Sequence, residues 1–222
     1  MIAIAIDGPG GAGKSTMARA LAKELGYIYV DTGALYRAIG LYMRRKGIPT
    51  TDFAAVAGNL GGVEVRLAFR DGEQRVFLAE EDVSDAIRTQ DISIAASNVS
   101  AVPEVRAFLF DLQRDLAKKN HVVMDGRDIG TVVLPHAGAK VFLTAAPEAR
   151  ARRRLLELKQ RGQETELETV LRDIVQRDEQ DRNRAVAPLR QAEDAVLLDT
   201  TELGLEESLK ALISLVKGRL AQ

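Results

Sequence analysis

The chain has 222 residues, 46% of them hydrophobic, and its 31 basic and 32 acidic side chains leave a net charge of -1. Such a chain can bury one sizeable core with a small inserted lobe, offers no broad basic face to nucleic acid or anionic membrane, and has no apolar run near the ~20 residues of a membrane span, so a cytoplasmic protein is expected. Cysteine is absent, which excludes disulfides and thiolate zinc sites, and the two imidazoles, His121 and His136, lie in no ligand pattern and read as ordinary structural residues.

In chain order, Ile2 to Ile6 reads as a buried strand and runs into Asp7-Gly8-Pro9-Gly10-Gly11-Ala12-Gly13-Lys14-Ser15-Thr16. Gly8 to Ser15 fits the phosphate-loop pattern, Gly, four residues, Gly-Lys-Ser. The loop backbone, from Gly8 through Pro9, Gly10, Gly11, Ala12 and Gly13, can turn N–H groups toward phosphate oxygens. Lys14 adds charge near the β and γ phosphates, Ser15 can hold magnesium, and the helix from Lys14 to Leu25, stopped by Gly26, aims its positive end at the anion. Tyr27 to Val30 is a second strand. Asp31-Thr32-Gly33 then opens a helix to about Lys46, closed by Gly47, with Thr32 and Arg37 placed to hold a second anion.

From about Gly58 to Gln90 the pattern changes. Val63, Val65, Leu67 and Phe69 alternate with polar residues, Asp71-Gly72 is a hairpin signal, and Val76 to Leu78 supplies a partner strand, giving a β-rich inserted lobe. A helix from Pro103 to about Lys119 leads to the strand Val122 to Met124, which ends in Asp125-Gly126-Arg127-Asp128. Asp125 is placed to organise magnesium and its waters, while Arg127 and Asp128 read as ligand contacts.

Val141 to Leu143 is a fourth core strand, followed by a helix opened by Pro147 and broken near Gly162. Thr165 and Glu168, at capping-box spacing, open a helix to about Arg182, Ala195 to Leu198 is a fifth strand, and Leu205 to Leu220 a final helix. Arginines occupy positions 150, 152, 153, 154, 161, 172, 177, 182, 184 and 190 among eight acids. Most read as a solvated helix face with pairs three and four apart, but Arg177, Asp181 and Arg184 fall at i, i+4 and i+7, which would aim two guanidiniums and a carboxylate at one place. The alternation implies an α/β fold, a parallel sheet with helices on both faces and a ligand site beyond the strands' carboxyl ends. Phosphoryl transfer suits these residues, because positioned cations offset the repulsion between two anions without proton chemistry.

These stretches carry a resemblance over nearly the whole length. Asp7 to Thr16, Asp31 to Arg37, the β-rich insertion, Asp125 to Thr131 with Val132-Val133, and Arg177 through Asp181-Arg182-Asn183-Arg184-Ala185-Val186-Ala187-Pro188-Leu189 are similar to the bacterial cytidylate kinases of the nucleoside-monophosphate kinase group. The resemblance implies a five-stranded parallel P-loop kinase core in a single unit, 1–222, with an acceptor-binding insertion near 58–97 and a short lid near 150–166. It implies transfer from ATP to CMP or dCMP with Mg2+, in a monomer with no nucleic-acid or membrane partner. Carried over by position, Ser97, Arg106 and Asp128 would contact cytosine, Thr32, Arg177 and Asp181 would lie near the sugar, and Arg37, Arg127 and Arg184 would hold the acceptor phosphate, with Lys14, Arg127 and Arg184 acting at the transferring group. From the residues alone Ser97 and Arg106 read as surface positions. Thr32 stands where the enterobacterial form carries serine, so its methyl crowds the sugar and leaves ribose against deoxyribose open; Ser15 stands where glycine also occurs. The alternatives are a kinase for UMP, another monophosphate or a small alcohol, and a P-loop regulatory NTPase.

Overall fold

The computed structural model describes residues 1–70, 73–160 and 162–221. Five strands, β1 (Ala3–Asp7), β2 (Ile28–Asp31), β6 (Val122–Gly126), β7 (Ala139–Thr144) and β8 (Val196–Asp199), form one sheet in the order β2-β6-β1-β7-β8, every neighbouring pair parallel. The side-chain alternation of β1 explains why both faces are covered. Ile4 and Ile6 pack against α1 (Lys14–Leu25) and α8 (Leu205–Leu220), whereas Ala5 faces the opposite way with Met124, Val30 and Ala117 of α5 (Pro103–Lys119).

Between α2 (Thr32–Arg45) and α5 the chain leaves the core sheet. After α3 (Phe53–Gly58), strands β3 (Val65–Arg70), β4 (Glu73–Leu78) and β5 (Glu81–Asp82) make a separate antiparallel sheet. The Asp71-Gly72 turn signal lies outside the described residues, as does Arg161. The lobe is not β-rich to its end, because Gln90–Ser100 is a helix, α4. Ile92, Ala95, Ala96 and Val99 form its buried stripe, a 3.6-residue period that follows directly on the alternating segment and is masked by it. The lobe, α2, α4 and α5 share a second apolar core around Leu35, Ile39, Val76, Ile87 and Leu109.

Two local expectations are corrected. The helix α7 (Leu167–Asn183) is capped at Glu166 with no side-chain cap bond, one residue later than the Thr165 capping box requires. Arg184 is its C-cap at φ −63°, ψ 142°, so it has left the helix and does not continue the Arg177–Asp181 face. His121 is structural as expected: the Ile2 N–H donates to its Nδ1 at 2.9 Å, and its ring stacks on Tyr27.

Candidate active site

The carboxyl ends of β2, β1 and β6, adjacent in the sheet, each bring a buried aspartate to one edge: Asp31, Asp7 and Asp125. The loop between Asp7 and α1 wraps over this edge. Gly8 crosses β7 so closely, at φ +150°, that a Cβ would overlap the Leu143 carbonyl oxygen. Lys14 folds back to donate to the Pro9 carbonyl at 2.7 Å, and Ala12 is fully buried. Burial chiefly, and then Arg127, pulls the Lys14 ammonium down to about 7 against the attraction of Asp125.

Asp125 accepts from Ser15 Oγ at 3.0 Å and from Tyr29 Oη at 2.9 Å, and burial beside Asp31 raises its carboxyl to about 6. Thr32 Oγ1 donates to the Asp125 carbonyl at 2.7 Å, and a Cβ on Gly126 would crowd the Ile129 side chain at 2.6 Å and that hydroxyl at 2.9 Å. Asp7 accepts from the N–H groups of Ile129 and Gly130 at 2.8 and 2.7 Å, fixing the single wide turn Ile129–Val133 that follows Asp128. Burial raises its carboxyl to about 6 despite those two donors.

Across a cleft of about 660 Å3 from the loop stands a cluster of paired charges. Arg127 Nε donates to Asp181 Oδ2 at 2.7 Å, and Arg106 pairs with Asp128, both buried. Arg184 Nη2 lies 3.5 Å from Asp128 and Nη1 3.9 Å from Asp181. Its Nε donates at 2.6 Å to the carbonyl of Ala187, which adopts a left-handed φ of 49°. Arg177 Nε and Arg184 Nη2 are buried without a hydrogen-bond partner among the described residues. Burial first, then Arg127, lowers the Arg177 guanidinium to about 10. Burial would raise the Asp181 carboxyl, but Arg127 and Arg177 hold it below the usual range.

The cleft wall brings together Gly10, Gly11, Gly13, Lys14, Ser15 and Thr16 of the loop, Asp125, and all nine residues expected to contact an acceptor. Gly8, Pro9 and Ala12 are buried and do not line the wall. Arg106 is not a surface residue: it is 8% exposed, with its guanidinium 5.5 Å from the Tyr36 ring. Ser97 is half-buried and faces the cleft, its Oγ donating to Gln180 Oε1 at 3.3 Å.

Sequence reasoning missed four contributors. Asp7 and Asp31 had a readable signal, since each is an aspartate ending a core strand like Asp125. Arg150 and Asp178 had none. Arg150 was grouped with the solvated arginines, but it is 1% exposed, forks onto Asp178 at 3.1 and 2.6 Å, and donates to the carbonyls of Gly10 at 3.0 Å and Ala145 at 2.8 Å.

A parallel α/β sheet with a glycine-rich loop and its lysine at the carboxyl edge defines a P-loop protein with a second, cation-lined subsite facing the loop. The sequence model of the family described as cytidylate kinase matches residues 4–218. A cytidylate kinase from Caldicellulosiruptor bescii is 49% identical over 214 residues, spanning 96% of this chain and 95% of its own length. One from Citrifermentans bemidjiense is 49% identical over 222 residues, spanning 100% and 95%. Among solved structures, an uncharacterized protein from Eubacterium ventriosum superposes with a TM-score of 0.53 at 14% identity, covering 98% of this chain and 99% of its own, a likeness of fold alone. The chain belongs to the cytidylate kinase family, and is a phosphotransferase. Among the described residues no helix is long and apolar enough to cross a membrane.

Proposed function

We propose that the chain transfers the γ-phosphoryl group of ATP to CMP or dCMP, giving ADP and CDP or dCDP. The observation that carries this reading is one cleft with Lys14 and the phosphate loop on one wall and the Asp128–Arg106 and Asp181–Arg127 pairs on the other. The donor's phosphates lie along Gly8 to Thr16, and Lys14 leaves the Pro9 carbonyl to meet them. Arg127 and Arg184 face the charge that develops as the phosphoryl group passes across, and Arg37 steadies the acceptor phosphate.

Cytosine selection follows from Asp128. A carboxylate accepts from the exocyclic amine of cytosine but meets uracil O4 as acceptor against acceptor, while the guanidinium of Arg106 donates to the ring's acceptor edge. Ser97 adds a hydroxyl beside them, and Thr32, Arg177 and Asp181 surround the sugar. The segment near 58–97 serves as the acceptor-binding lobe and that near 150–166 as the lid. The reading takes the chain as a monomer working in the cytoplasm.

The residues fit Mg2+. Ser15 Oγ and Asp125 Oδ2, 3.0 Å apart, are the hard oxygen donors that this ion takes in small number alongside phosphates and water. Ser15 would bind the ion directly and Asp125 through water. Bound there, the metal would offset negative charge on the donor's phosphates.

An acceptor panel of CMP, dCMP, UMP, AMP, GMP and small alcohols with ATP and magnesium tests the reading. Turnover of CMP and dCMP well above the rest is expected. Turnover of another acceptor with none for CMP would overturn the specificity, and slow hydrolysis with no acceptor at all would favour a regulatory NTPase.

A further inference from the structure

Asp7 is 4% exposed and does not line the cleft. It ends β1, the central strand of the sheet, in register with Gly126 of β6 on one side and Phe142 of β7 on the other. The next residue, Gly8, leaves no room for a Cβ against the Leu143 carbonyl, so this end of β1 is packed in place. Its backbone is therefore a fixed point from which the side chain can hold something else.

What it holds is the turn that follows Asp128. The two carboxylate oxygens are divided between consecutive N–H groups, Oδ1 accepting from Ile129 at 2.8 Å and Oδ2 from Gly130 at 2.7 Å. Successive N–H groups aimed at one point form a small anion cradle, and here the anion is a side chain of the protein itself. The far end of the turn is held from α5, where Arg114 donates to the carbonyls of Val133 at 2.9 Å and Val132 at 3.3 Å. The Asp128 carbonyl accepts from the N–H groups of Val132 and Val133 at 2.9 and 3.1 Å. Gly130 packs so tightly that a Cβ would lie 3.3 Å from Asp7 Oδ2 and 3.1 Å from Lys140 Cδ.

A buried carboxylate without a cationic partner is a costly way to fix a turn. Among the described residues no lysine or arginine forms an ion pair with Asp7, and the nearby Lys140 ammonium goes instead to the Pro135 carbonyl and Asp194. An asparagine would avoid the buried charge, but it offers one acceptor oxygen and would set its NH2 against the second N–H, donor to donor. Of the two, only the carboxylate receives both N–H groups. It thereby secures the peptides next to Asp128, whose own side chain is gripped from elsewhere by Arg106 and, at 3.5 Å, by Arg184.

Resting on the acceptor reading above, we propose that Asp7 is a positioning residue for base selection. It anchors the turn after Asp128 to the central strand, and so sets the base-reading carboxylate in register with the donor loop that begins at Gly8.

The test measures kcat and KM for CMP, UMP and ATP, together with amide exchange at Ile129 and Gly130, in the wild type, Asp7→Asn, Gly130→Ala and Leu212→Ala. Leu212, fully buried in α8 and absent from the cleft wall, is the control for lost stability alone. Asp7→Asn should cut kcat/KM for CMP by roughly 10- to 100-fold, the scale on which a misplaced contact acts, and that for UMP by less than about threefold, with KM for ATP changed less than about twofold. Exchange at the two amides should quicken. Gly130→Ala keeps the carboxylate but pushes on it, so it should narrow the preference for CMP in the same direction, and it decides the question if Asp7→Asn does not fold. Leu212→Ala should lower stability and leave the ratio of CMP to UMP unchanged. A preserved ratio in the Asp7 and Gly130 variants, a rise in KM for ATP as large as that for CMP, or an equal narrowing in Leu212→Ala would overturn the positioning role. A wild type with no preference for CMP over UMP would refute the acceptor reading instead.

Discussion

Replacing Arg150 by methionine removes the guanidinium that ties α6 (Pro147–Gln160), α7 and the phosphate loop together. Methionine keeps much of the stem's volume, so the cost is electrostatic: Asp178, 4% exposed, loses both of its forked donors, and the Gly10 and Ala145 carbonyls lose theirs. Breaking one partner of a buried pair costs about 3 to 5 kcal/mol. For a chain of this size that is a fall in Tm of roughly 6 to 20 °C. The assay is urea unfolding followed by circular dichroism for wild type, Arg150→Met, Asp178→Leu and the double variant. Because the double variant leaves no buried charge unpaired, it should be more stable than either single one, with a coupling on the order of 2 kcal/mol. The KM for ATP should rise more than that for CMP, since Gly10 belongs to the donor loop. A single-variant cost under ~1 kcal/mol with additive energies would refute the claim that this pair supports the loop.

Lys14→Met should lower kcat by roughly 100 to 1,000-fold with a smaller change in KM, as for loss of a transition-state donor, and near-normal kcat would contradict its role. Because burial lowers the Lys14 ammonium to about 7, phosphate binding, which supplies an opposite charge, should draw a proton from solution above that pH. Calorimetry of ATP binding in buffers of different ionisation enthalpy reads that uptake, and buffer-independent heats at pH 8 would count against it. Asp7, raised to about 6, contributes stability that is complete below about 4 and lost as pH climbs through 6, a swing on the order of 3 kcal/mol. The stability of Asp7→Asn relative to wild type should therefore improve by about that amount from pH 4 to pH 8, whereas a constant difference would show that the buried charge is not the cause. Asp128→Asn should cut kcat/KM for CMP by about 10 to 150-fold and narrow the preference over UMP, and an unaltered preference would remove Asp128 from the base site.

How much of this was legible in the chain depended on how local the cause is. The limits of α1, α5 and α8 match the sequence reading because their signals lie within one turn: Gly26 at φ 68°, Pro103 in the first turn of its helix, and Leu205 just after Gly204, whose N–H bonds Glu207. The phosphate loop was legible for the same reason. Arg150 and Asp178 are 28 residues apart, and Arg127 and Asp181 54, so no periodicity within a helix could pair them. Arg184 reaches the Asp181 cluster by a route the spacing did not describe, because an i, i+7 spacing assumes a helix that here ends at Asn183. Ser97 and Arg106 were accessible only through the family resemblance, since the pairing of Arg106 with Asp128 and the place of Ser97 on the cleft wall depend on how α4 and α5 pack in the fold.

The acidic and basic residues around the cleft also explain how one site can be stable alone and still bind an anion selectively. Asp181 with Arg127, and Asp128 with Arg106, satisfy each other in pairs, so these two carboxylates do not stand unpaired. A ligand must offer every one of those groups a partner at least as good as the one it leaves. On the proposed placement of the base, cytosine does so for Asp128 because its amine donates, whereas uracil sets its O4, an acceptor, against the carboxylate. A free phosphate can engage Arg127 but leaves Asp181 to be satisfied by something else, which a sugar hydroxyl would supply on the proposed reading. On that reading discrimination comes from the cost of leaving a buried carboxylate without a donor, about 1 to 3 kcal/mol or more for a charged group, rather than from added attraction. The same logic places the strongest demand for complementarity on the acceptor wall. The phosphate loop, whose lysine rests on a backbone carbonyl, needs only a polyphosphate to release it.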